Sequence, residues 1–251
     1  MRLRALIWPS IAAACALGLL LGLGFWQLRR LSEKEMLMAR IDARIHQPAV
    51  SVPDEAMWPQ LKLGDLEYQP VRVKGVFHHE HEVLVFEPAG KIAGELVARG
   101  FNVLTPLQLE SGAIVMINRG FVTDDYADPE RRKAGQISGE QTITGLLRQP
   151  ERRNMFTPPD NPAKNQWFTQ DPAEIAAAKG LSRVAPFIID ADKTENPGGW
   201  PQGGTTVIDI PNRHLEYAVT WFGLALTLLG VYAFFVRALL QRTRQDQTSG
   251  A

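Results

Sequence analysis

A chain of 251 residues with 27 Lys and Arg against 27 Asp and Glu carries no formal net charge at neutral pH. With no long basic run it is a poor partner for nucleic acid. Its single cysteine, Cys15, excludes an internal disulfide and a multi-cysteine zinc site.

The first predicted element is an apolar span from Ala5 to Leu28. At 1.5 Å per helical residue it reaches about 36 Å, enough to cross a hydrocarbon core of about 30 Å. Its apolar run continues past Cys15 through Leu17, Leu19, Leu20, Leu21 and Leu23, which is longer than a cleaved signal core, so it is expected to stay as an anchor. No Arg- and Ser-rich presequence stands before it, which disfavours a mitochondrial precursor. Trp26 and Gln27 mark its outer interface. Leu31, Met38, Ile41 and Ile45 then continue a helical pattern that should end before Pro48.

From there the period changes to two. Pro70 to Phe77, Glu82 to Phe86, Phe101 to Leu109, Ala113 to Val122, Gln141 to Leu147, Pro186 to Ile189 and Thr205 to Ile210 read as strands separated by Gly- and Pro-rich turns. One helix, Asp171 to Lys179, interrupts them, with Asp171 as cap, Pro172 in first position and Gly180 as stop. A second apolar span, Leu215 to Val236, precedes a polar tail that composition reads as disordered from Gln241. The expected fold is a membrane-anchored α+β protein. Transmembrane helices over 5–28 and 215–236 flank one mainly antiparallel, barrel- or sandwich-like outer domain over 29–214, and 237–251 form a cytoplasmic tail.

Charge bias alone leaves orientation tied. Arg2, Arg4, Arg237, Arg242 and Arg244 at the ends oppose Arg29, Arg30, Lys34, Arg40 and Arg213 on the other side. Because long loops translocate largely regardless of charge, the short ends decide, and both termini are expected in the cytoplasm.

Few residues offer chemistry. His78, His79, Glu80, His81 and Glu82 resemble a metal cluster in composition, but a turn would aim at most two of the imidazoles one way, so a solvated turn is expected. The Gly-rich stretch Pro197 to Gly204 is bracketed by prolines and opens no soluble helix, so it cannot cradle phosphate. No acid, base and nucleophile set stands at recognisable spacing, and no catalytic residue is expected.

His214 is the sharper candidate. Tyr217 and Trp221 follow at helical spacing on one face, where a neutral imidazole could ligate iron while aromatic rings line a porphyrin. From spacing alone a second reading stays open, in which all three are interfacial anchors. Glu216 beside them is expected to face the domain, another span or water, and could support His214. Gly18 and Gly22, with Gly24 nearby, suit close packing of the spans with each other or with another subunit.

Several motifs occur together and in order. They are Gly24, Trp26, Gln27, Arg30 and Lys34; Gly100 with Thr105-Pro106-Leu107; Ile117-Asn118-Arg119-Gly120-Phe121-Val122; and Trp167-Phe168 before Asp171. Pro186-Phe187-Ile188-Ile189-Asp190 follows, then Pro211-Asn212-Arg213-His214-Leu215-Glu216-Tyr217 with Thr220-Trp221-Phe222-Gly223. Across nearly the whole chain they resemble the Surfeit locus protein 1 family, here as a bacterial member. The family pattern has tryptophan where this chain has Phe121, which keeps the aromatic character.

The resemblance implies a non-catalytic assembly factor for cytochrome c oxidase that receives heme a from heme a synthase and aids its insertion into subunit I. It implies His214 as the iron ligand, with Tyr217 and Trp221 lining the cofactor. The implied place is the bacterial inner membrane, with the main domain periplasmic. The alternative is a cofactor-free membrane scaffold that stabilises subunit I.

Overall fold

The computed structural model describes residues 4–88, 91–92, 95–96, 99–206 and 212–248. Helix α1 (Arg4–Ile45) is followed by strand β1 (Val50–Ser51), short helix α2 (Leu63–Leu66), β2 (Pro70–Phe77), β3 (Val83–Glu87), β4 (Lys91–Ile92) and β5 (Glu95–Leu96). Then come β6 (Gly100–Gln108), β7 (Ile114–Thr123), β8 (Glu140–Arg148), β9 (Gln166–Trp167), helix α3 (Pro172–Lys179), β10 (Val184–Ala191) and helix α4 (His214–Thr248). The chain divides into two units: Ile41–Ile208 carries the strands, while Met1–Arg40 with Asp209–Ala251 carries the long helices.

In the strand unit β2, β8, β10, β7 and β6 pair in that order. β6 returns to β2 through Val76↔Gln108 and Phe77↔Leu107, which closes the sheet into a barrel and leaves these strands few free edges. Neighbours run antiparallel except β7 and β10, which are parallel. Where β2 leaves β6, β3 takes its place, carrying β9 on its far edge, and β1 pairs parallel with β2.

The period-two pattern explains the core. Val71, Val73, Phe77, Leu107, Val115, Ile117, Leu147, Phe187 and Ile189 come from all the barrel strands and form one buried cluster, with Trp58, Leu61, Leu63 and Leu66 packed against it. The intervening residues Leu104, Met116 and Ile188 turn the other way and pack on Val83, Val85, Trp167 and Ile175 of α3. β7 is thus covered on both faces, which is why its sequence is apolar almost without alternation. α3 starts where the Asp171 carboxylate accepts from the Ala173 and Glu174 amides, and stops at left-handed Gly180.

Two expectations fail. Thr205 and Thr206 are not in a strand, and the rest of the segment expected to extend to Ile210 lies outside the described residues. The polar end read as disordered from Gln241 is helical through Thr248, because α4 continues past its apolar part on residues that suit a helix, such as Gln241, Arg242 and Arg244.

Candidate functional site

α1 and α4 form an antiparallel pair within their unit. The Ser10 and Tyr232 hydroxyls are hydrogen-bonded at one end, Phe222 packs edge-on against Phe25 with ring centroids 5.4 Å apart, and Gln27 meets His214 at the other end. From Ser10 to Gln27 and from His214 to Tyr232 each helix advances about 25–27 Å, so the contacts are in register. A Cβ on Gly24 would lie 2.7 Å from the Phe222 ring, so this glycine permits the close approach. Gly18, Gly22, Gly223 and Gly230 have nothing within 4 Å of that position and do not form the seam.

His214 is the first residue of α4 and is half-buried. Its Nδ1 donates to the Gln27 Oε1 at 2.7 Å, and Gln27 is only 8% exposed. A buried amide left without a partner would cost about 1–3 kcal/mol, which this bond avoids. The other ring nitrogen, Nε2, has no partner among the described residues. At 100° per residue Trp221 lies about 20° and Tyr217 about 60° from His214 around the helix, on one flank of the seam. Ala218 and Ala225 are buried, Trp221 is half-buried, and Tyr217 is 53% exposed. Among the described residues no ring contact joins His214 to either aromatic. The Oδ1 of Asn212, two residues before His214, is buried without a partner among the described residues.

The residue that supports His214 is therefore Gln27 and not Glu216, which is exposed and whose backbone carbonyl accepts from the Thr220 hydroxyl at 2.9 Å. Spacing could not reveal the pairing, because the two residues stand 187 positions apart. The available signal was a polar side chain at a mostly apolar span, which must find a partner.

The strand unit holds its own polar interior. The segment 78–82 is a turn between β2 and β3, as expected, but its end is not solvated: Glu82 is buried and accepts a two-pronged hydrogen bond from Arg132, with Nη1 to Oε2 at 2.8 Å. His79 Nε2 donates to the Ile137 carbonyl at 3.1 Å, and burial pushes this histidine below its ordinary pKa. Arg119 is buried between the Gly135 carbonyl and the Asn196 Oδ1, with its guanidinium 4.9 Å from the Phe77 ring centroid. Burial, with Arg132 nearby, lowers it to about 10, against the pull of Glu82. Gly120 follows at φ +117, and a Cβ there would collide with the Gln202 carbonyl, so loop 196–204 closes tightly on β7. Asn118 donates to Asp190 at 2.9 Å, and Asp190 accepts from Arg148 at 2.8 Å. Burial disfavours the Arg148 charge, but Asp190 and Glu67 outweigh it and raise its pKa. Among the described residues no group of three ligand-type side chains could hold a metal ion.

The segments Leu6–Ile45 and His214–Gln241 are long and apolar enough to cross a membrane, and with the closed barrel they define a membrane-anchored barrel protein. The SURF1 family model matches residues 14–226. A SURF1-like protein of Monosiga brevicollis is 33% identical over 223 residues, covering 86% of this chain and 83% of that protein. Surfeit locus protein 1 of Homo sapiens is 35% identical over 215 residues, covering 81% and 69%, and that of Xenopus tropicalis 34% identical over 213 residues, covering 80% and 67%. The chain belongs to the SURF1 family. Its family and its two long apolar helices place it among membrane-associated assembly factors. The expectation of a bacterial member in the bacterial inner membrane is corrected by these matches, which are to eukaryotic proteins.

Proposed function

We propose that the chain assists assembly of cytochrome c oxidase by binding heme a through His214 and aiding its delivery to subunit I. The observation that carries this is the bond from His214 Nδ1 to Gln27, which directs the lone pair to Nε2, the nitrogen with no partner among the described residues. The donor set fits the group: one imidazole with a partnerless nitrogen among the described residues, Trp221 half-buried on the same flank and Tyr217 open beside it. Heme a, when bound, would supply a redox-active iron that this nitrogen could hold. His214 would hold the iron, with Trp221 and the exposed Tyr217 beside it on the same flank of α4.

In this account residues 5–28 and 215–236 cross the bilayer, 29–214 form the outer domain and 237–251 the polar tail. The partners are heme a synthase as donor, oxidase subunit I as acceptor, and the lipid of the membrane that carries the oxidase. A second reading, a cofactor-free scaffold for subunit I, draws on the absence of a ring contact between His214 and either aromatic among the described residues. Cells carrying His214→Ala in place of the wild-type chain separate the two. Delivery predicts subunit I made and inserted but deficient in heme a. Full heme a occupancy with faulty subunit association would favour the scaffold and overturn delivery.

A further inference from the structure

We infer that Gln27 is a positioning residue that selects the tautomer of His214, an inference that rests on His214 acting as the heme ligand. An imidazole free in water favours the proton on Nε2, the nitrogen that would have to be bare to ligate iron. The Gln27 Oε1 lies 2.7 Å from Nδ1, and a carbonyl oxygen can only accept. With the Gln27 amide in this orientation Nδ1 carries the proton, and the lone pair is left on Nε2. Gln27 is 8% exposed, so water does not compete for the bond. Glu216, the acidic side chain in the first turn of α4, is exposed and makes no ion pair among the described residues. Because Gln27 belongs to α1 and His214 to α4, the ligating nitrogen is set by the pairing of the two spans and not by α4 alone. A ligand assembled in this way responds to anything that shifts one helix along the other.

The experiment uses the full chain in detergent, carrying ¹⁵N-labelled histidine, with His214→Ala to assign the signal. Without heme, the wild type is expected to show a protonated Nδ1 and a bare Nε2 at His214. Gln27→Leu should move the population toward protonated Nε2, while Gln27→Glu, which keeps an acceptor, should restore the wild-type pattern. In titrations with hemin, Gln27→Leu should weaken binding about 10–100-fold, as loss of an outer partner does at other metal-ligating histidines. It should also lower the iron–histidine stretching frequency, which a purely structural loss would leave in place. An unchanged tautomer and unchanged hemin affinity in Gln27→Leu, with binding abolished in His214→Ala, would overturn the role of Gln27 and leave the ligand assignment standing. Unchanged binding in His214→Ala would overturn the ligand assignment itself.

Discussion

At the level of single residues, the strand unit depends on charges it has removed from water. Glu82 and Arg132 have side chains only 4% and 1% exposed, so each is tolerable only because the other is present. Glu82→Gln leaves the guanidinium buried without a counter-charge and should cost about 3–5 kcal/mol, read as a large fall in denaturation midpoint; a loss no greater than that of a surface substitution would contradict the burial. His79 gives a pH signature. Burial depresses its folded pKa below the ordinary 6.5, so under that pH the unfolded chain takes up the proton first, and stability drains as the pH falls toward the folded value. Thermal midpoints of wild type and His79→Gln should therefore diverge between neutral pH and pH 5, with the wild type losing more. His78, raised by its bonds to Gln108 and Glu80, pulls the opposite way in both proteins and drops out of the comparison. A wild type that keeps pace with the variant on acidification would show that His79 is not buried as described.

Among the elements, what the sequence disclosed and what it concealed divide by range. β2 spans Pro70–Phe77 as its alternation predicts, and α3 carries the cap, first-position proline and terminal glycine that announce it, because these signals are local. β1 and β9 are two residues each, too short to display a period, and exist through pairing with β2 and β3. The Glu82–Arg132 pair bridges 50 positions and the Gln27–His214 pair 187, and nothing in the neighbourhood of either residue specifies its partner. The glycines show the same limit. Gly18 and Gly22 have the spacing of a packing motif, yet the contact falls on Gly24, opposite Phe222. Gly24→Leu should disrupt the seam and cost about 1–3 kcal/mol by overpacking, whereas Gly18→Leu should be neutral or slightly stabilising through helix propensity. Equal midpoints for the two variants in detergent would contradict this placement of the α1–α4 contact.

For the whole molecule, the closed barrel and the paired spans answer different physical demands. The barrel buries β7 on both faces and hides most edges of a β-rich chain, so it holds its shape without disulfides. The paired helices bury Gln27 to 8% exposure, so its bond to His214 is shielded from water and can direct a lone pair. Membership of the SURF1 family places this architecture among assembly factors, and His214 is where the proposed cargo would engage it. The most direct measurement is the optical spectrum of the detergent-purified chain, co-produced with the enzymes of heme a synthesis, with and without His214. Heme a held by His214 should give a histidine-ligated heme a spectrum for the wild type and a colourless His214→Ala; a colourless wild type, or the same spectrum from both, would overturn that role.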